Sequence, residues 1–171
     1  MLAQTPPEAG VWTWAADRTV GFVSRRQAHE ALIHRLDAEL TAGTRTGMDP
    51  VLAADGVDEA LGVMFGDIPG WATSTPDRQG ASARIVATDL DRTWLVKLGR
   101  WSGTSPNTGR SYDDPALWLE PDDGRTAADV TGRAVDLDCL LWNRPAEMAV
   151  TRSGDQRALA LLDEVIAVGV Q

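Results

Sequence analysis

The chain has 171 residues, 43% of them hydrophobic, and its 25 acidic and 16 basic residues leave a formal net charge of -9. That length suits one good core or two small ones, and the negative balance, with no basic stripe, excludes a partner held through nucleic-acid phosphates. One cysteine, Cys139, rules out an intramolecular disulfide, and no apolar run reaches the roughly 18 residues of a membrane span, so a cytoplasmic protein without membrane partners is expected.

In chain order, Met1 to Gly10 lacks the charged and apolar regions of a signal peptide and reads as a short loose tail. Trp12-Thr13-Trp14 alternates large and polar residues before Asp17-Arg18-Thr19, a plausible helix start. From Val20 to about Thr41, Phe22, His29, Ile33, Leu36 and Leu40 recur at about 100° per residue, which predicts a long amphipathic helix stopped by Gly43. Asp49 and Pro50 have the N-cap and first-turn chemistry of a second helix, with Val51, Ala54, Val57, Leu61 and Phe65 on its apolar face. The two helices read as an antiparallel hairpin from a bundle, occupying residues 1–68. Ile68 to Ala81 is rich in Pro, Gly, Ser and Thr and reads as a linker, 69–81.

Beyond it the period changes to that of strands. Residues 83–88 and 93–98 predict a hairpin around Asp89-Leu90-Asp91-Arg92. A long polar loop over 99–115, a short strand over 116–120, a helix over 126–142, a strand over 147–151 and a final helix from Gly154-Asp155 to about Val168 complete the reading. The second half, 82–171, is thus an α+β domain with an antiparallel sheet covered by two helices, and the whole chain is α+β.

The candidate chemistry sits on the first helix. Glu30 and His34 are four residues apart and share the edge of the apolar stripe with Val23, Gln27 and Asp37, which places their Cβ atoms roughly 5–6 Å apart. A carboxylate and an imidazole so placed supply two of the three protein ligands of an open zinc-type site; the same spacing suits a surface hydrogen-bonded pair. Asp37 is placed to orient the imidazole or to pair with a neighbouring arginine. His29 lies centrally on the stripe and reads as a core histidine; Asp55, Asp58 and Glu59 on the second helix offer oxygen ligands or a solvated face. Cys139 reads as a small core residue. Trp12, Trp14 and Trp142 read as core and interface fillers. The glycines of 99–109 lack the lysine and the context of a phosphate loop.

The run Trp12-Thr13-Trp14, Asp17 to Phe22, Arg26 to Glu30, His34-Arg35 and Asp37-Ala38-Glu39 resembles the metal-binding region of the actinobacterial mycothiol-dependent maleylpyruvate isomerase family. Ala127 to Gly132, Asp136-Leu137, Leu140 to Arg144 and Gly154-Asp155 resemble that family's C-terminal α/β domain. The resemblance implies a DinB-like helical bundle, here N-terminally truncated because the early helices and their histidine have no counterpart. It implies Glu30 and His34 as ligands of a divalent metal such as zinc, mycothiol as the thiol cofactor, and Arg144 as a contact for a carboxylate of substrate or cofactor. An arginine in the last turn of a helix also compensates the helix dipole. The implied reaction is cis-trans isomerisation of a maleylpyruvate-like substrate by thiolate addition and elimination. A thiol S-transferase with the same site, or a non-catalytic binding or regulatory module with a vestigial metal site, are the rival expectations. Missing helices would leave Phe22, Ile33, Leu36 and Leu61 uncovered, which predicts association with a second copy.

Overall fold

The computed structural model describes residues 5–121 and 124–169. The chain divides into two compact units, Met1–Met48 and Asp49–Gln171. In the first, helix α1 spans Val20–Thr41 and is capped by Thr19, whose hydroxyl accepts the Phe22 N–H at 3.1 Å. The segment before it is not loose from Thr5 onward. The backbone N–H groups of Val20 and Gly21, which no helical carbonyl serves, donate to Ala9 O at 2.9 Å and Pro7 O at 2.7 Å. Phe22, His29, Ile33 and Leu36 are buried as their periodicity requires.

The second unit opens with α2, Pro50–Glu59, whose cap Asp49 accepts the Val51 and Leu52 N–H groups at 2.8 and 3.0 Å. One π-helical turn, Ala60–Met64, continues it. The strands are β1 (Thr73–Pro76), β2 (Ser82–Ala87), β3 (Arg92–Thr104), β4 (Ser111–Glu120), β5 (Ala128–Gly132) and β6 (Thr151–Gly154), with α3 (Ala134–Leu141) and α4 (Gln156–Val168). They form one six-stranded sheet in the order β1-β3-β2-β5-β6, with β4 on the other edge of β3. All pairs are antiparallel except β2–β5. The architecture is α+β, an N-terminal helix followed by a sheet domain. No helix among the described residues is long and apolar enough to cross a membrane.

Several elements differ from the sequence reading, each for a local reason. Residues 99–115 are not a loop: β3 and β4 run on through them, paired from Leu95↔Glu120 to Thr104↔Ser111. Trp101 and Tyr112, stacked with ring centroids 5.4 Å apart, hold the far end of this hairpin, and Trp71 closes on both. The segment expected to be a linker supplies the edge strand β1. The predicted helix over 126–142 starts only at Ala134. Before it, β5 buries Ala128, Val130 and Gly132 and leaves Asp129 and Thr131 half-exposed, a period of two rather than 3.6. The predicted 147–151 strand is displaced to 151–154.

The core of this unit holds Val57, Leu61, Ile85, Leu117, Leu137 and Leu162. Helix α2, grouped with α1 in the sequence reading, packs on α3 within the second unit. The four side chains expected to be uncovered are buried: Phe22 is 6% exposed and Ile33, Leu36 and Leu61 are 0% exposed. Leu61 belongs to the core of the second unit, and Phe22 meets the Trp14 ring edge-on at 6.0 Å. Val51, placed on the apolar face of α2, is 67% exposed, and Trp12, read as a filler, is 82% exposed.

Candidate functional site

Helix α1 brings Glu30, His34 and Asp37 together as the 3.6-residue period dictates. The Nε2 atom of His34 lies 2.9 Å from Glu30 Oε2, and its Nδ1 lies 3.4 Å from Asp37 Oδ2. Each ring nitrogen therefore has a carboxylate beside it to receive an N–H. The imidazole is 66% exposed, whereas Glu30 and Asp37 are 29% and 34% exposed, so a reactant reaches the ring while its orienting groups stay partly shielded. The other Glu30 oxygen, Oε1, accepts from the buried guanidinium of Arg26.

As a pair, Glu30 and His34 fit an ion. Metal–N and metal–O bonds of about 2.0–2.2 Å at a tetrahedral angle set neighbouring donors about 3.3–3.6 Å apart, so the pair, now in direct contact at 2.9 Å, would have to open by about half an ångström around one. As a complete site they do not. Among the described residues no group of three His, Cys, Asp or Glu side chains is placed to hold a metal ion. Two of the three carboxylates considered as further donors, Asp58 and Glu59, are engaged or buried in the second unit. Asp58 accepts the indole N–H of Trp94 at 2.6 Å and pairs with Arg92, while Glu59 is buried at 1% exposure rather than solvated. His29 is buried at 1% exposure, as a core histidine is.

Arg144 belongs to the second unit, just past the end of α3. There Asn143 takes a positive φ of 55° and the Arg144 N–H donates to Cys139 O at 2.7 Å. Its Nη1 donates to the Trp142 carbonyl at 2.7 Å, which is the dipole-compensating contact of a helix C-terminus. Cys139 is fully buried.

Two buried aspartates on α3 were not singled out by sequence. Asp136 accepts Arg133 Nε at 2.7 Å and the Glu147 and Met148 N–H groups at 2.8 and 2.9 Å. Burial is the largest influence on it and pushes its carboxyl up, but those three bonds together hold it below the usual range. Asp138 is the opposite case. Burial, then the Glu59 carboxylate, push it up to about 8. The only sequence mark of its position is Gly56 on α2, where a Cβ would lie 2.7 and 2.9 Å from the two Asp138 oxygens.

Residues 1–39 match the family model described as mycothiol maleylpyruvate isomerase N-terminal domain, so the likeness covers α1 nearly to its end, with Glu30, His34 and Asp37 inside it. The second unit lies outside that match. No curated protein and no solved structure matches the chain.

Proposed function

We propose that this is a mycothiol-dependent protein of the maleylpyruvate isomerase type, which converts a cis alkene conjugated to a carbonyl into its trans isomer. The observation that carries the reading is the exposed His34 imidazole held between Glu30 and Asp37, inside the segment that resembles that family's N-terminal domain. Mycothiol, when bound, would supply the sulfur nucleophile for reversible addition to the double bond, the chemistry that permits rotation. In the neutral His34 ring one nitrogen donates its N–H to the carboxylate beside it, and the other, unprotonated, takes the S–H proton, shares it with its own carboxylate neighbour and returns it when the thiol is released. Glu30 and Asp37 hold the ring plane and neutralise its transient charge. A divalent ion, zinc by donor chemistry, belongs to the proposal only as far as the Glu30–His34 pair goes, and no step is routed through it.

The test is an ultraviolet assay of maleylpyruvate isomerisation with and without mycothiol. Thiol-dependent turnover that falls by about 10²-fold or more in His34→Ala supports the assignment. Absence of turnover in the parent protein, or equal rates in the variant, overturns it. Metal analysis of the parent beside Glu30→Ala and His34→Ala decides the ion separately: equal, near-zero zinc in all three removes it. The lack of a third donor among the described residues favours a second reading, a binding or regulatory module without turnover.

A further inference from the structure

Strands β1 and β3 and the first half of α4 enclose a cavity of about 300 Å³, at the small end of small-molecule sites. Three arginines, Arg78, Arg100 and Arg157, line it against two aspartates, Asp77 and Asp113, and Glu164 faces Arg100 beside it, so cations and carboxylates balance here in a chain of net -9. Screening over about 8 Å at physiological salt makes that local balance, rather than the distant surface, what a ligand feels. Pro76 and Leu161 add apolar wall.

The arginines are held to different degrees. Arg157 donates to Asp77, a carboxylate only 7% exposed that also accepts the Gln79 and Ala81 N–H groups at 2.9 and 3.4 Å. Arg100 uses Nε on Asp113 Oδ1 at 2.9 Å and Nη2 on the Asp113 carbonyl. Its remaining Nη1 faces Glu164 Oε2 at 3.6 Å, beyond hydrogen-bonding length. Arg78 is exposed and has no hydrogen bond or ion pair with any described residue. One guanidinium is thus locked, one keeps an edge open to a carboxylate, and one is uncommitted.

We infer that this cavity is a second binding site, for a small carboxylic acid with a single-ring apolar body. The carboxylate bridges Arg78 and the open edge of Arg100, displacing the weak Glu164 contact, and the ring lies on Pro76 and Leu161. A monoanion is favoured over a phosphate ester because a second negative charge would face Asp77, Asp113 and Glu164 with no surplus positive charge to offset it. The site lies wholly in the second unit and does not depend on the roles assigned to Glu30 and His34.

Titration of the full chain with benzoate, followed by backbone amide NMR shifts, tests it. Saturable shifts at Gly99, Arg100 and Leu161 in the millimolar range are expected, with benzyl alcohol and phenyl phosphate each binding about tenfold more weakly or worse. Arg78→Ala is expected to weaken benzoate about tenfold, as loss of one charge-assisted contact does. Glu164→Gln is expected to tighten it about threefold by removing the competing carboxylate. The amide spectra show directly whether each variant is folded. Non-saturable shifts, equal binding of benzyl alcohol or phenyl phosphate, or benzoate binding unchanged in Arg78→Ala or Glu164→Gln, would each overturn the assignment.

Discussion

Asp138 carries the clearest pH signature in the molecule. Its carboxyl is raised from 3.8 to about 8, first by burial and then by Glu59, so between these values the folded chain holds a proton that the unfolded chain has released. Stability from this group is complete below the unfolded value and is lost as pH rises through the folded one. Asp138→Asn, neutral at every pH, is expected to flatten the fall in urea midpoint between pH 5 and 9 and to leave the variant more stable than the parent on the alkaline side. A parent midpoint that does not fall over that range would contradict this. Asp136 has the reverse sign: its lowered carboxyl stabilises above its unfolded value and ceases to as pH drops. Asp136→Ala removes the buried acceptor of the Arg133 guanidinium and of the Glu147 and Met148 N–H groups, an expected loss of about 1–3 kcal/mol in denaturant titration. The contrast explains what was legible at this scale. Glu30, His34 and Asp37 interact within one helix, so their spacing alone brings them together. Asp138 faces Gly56 of another helix and Asp136 faces the turn at Glu147, contacts that no local period encodes. Nor does spacing reveal a third metal donor, which would have to come from another element.

Helices α1, α2 and α4 were readable because each has a local start signal: Thr19, Asp49 and Asp155 all accept first-turn N–H groups. The sheet was only partly readable. Polar β3–β4 residues such as Ser102, Asp113 and Thr104 resemble a loop by composition, yet they pair because the hairpin continues from apolar Leu95–Leu98 and is clamped by aromatic rings. In β5 the alternation is present in Ala128-Asp129-Val130-Thr131-Gly132, but it runs straight into helical residues, so by local pattern the strand and the helix merge. Gly99 shows how one residue sets an element's place. A Cβ there would lie 2.4 Å from Thr75 O and 2.8 Å from the Pro76 Cα, both backbone atoms of β1. Gly99→Ala must therefore push β1 off the edge of β3, and a loss of about 2–3 kcal/mol is expected, the upper part of the overpacking range. Amide exchange resolves the cause: protection should vanish among the amides of Thr73, Ser74 and Thr75 before it changes in β2 or β5. Uniform loss across the sheet would instead mean that β1 is integral to the core.

At the scale of the whole molecule, the connection between the two units is organised around one side chain. After α1 ends, Gly43 turns the chain with a φ of 69°, and Glu39 then gathers the segment that leads to Asp49. Its Oε2 accepts the Thr46 N–H at 2.9 Å and its Oε1 accepts the Thr46 hydroxyl at 2.5 Å, while Arg35 Nη2 donates to Gly47 O at 3.2 Å. The bonds from Thr46, side chain first and then backbone, hold the Glu39 carboxyl below its usual value. This clasp therefore persists through neutral and mildly acid pH and opens only when the carboxyl is protonated. A protease needs about ten residues of extended, mobile chain, which the clasped connection does not offer, so trypsin should cut after Arg45 slowly in the parent protein. In Glu39→Ala the Thr46 bonds are gone and the cut should come several-fold faster, with the fragments mapping to residues on either side of Arg45. Because Glu39 contacts the connection and belongs to neither core, the urea midpoint should stay essentially where it is in the parent. Faster cleavage with unchanged global stability would locate the effect in the connection. Equal cleavage rates would mean that the clasp does not hold in solution and that the course of the chain from Gly43 to Met48 is set by its backbone turns alone.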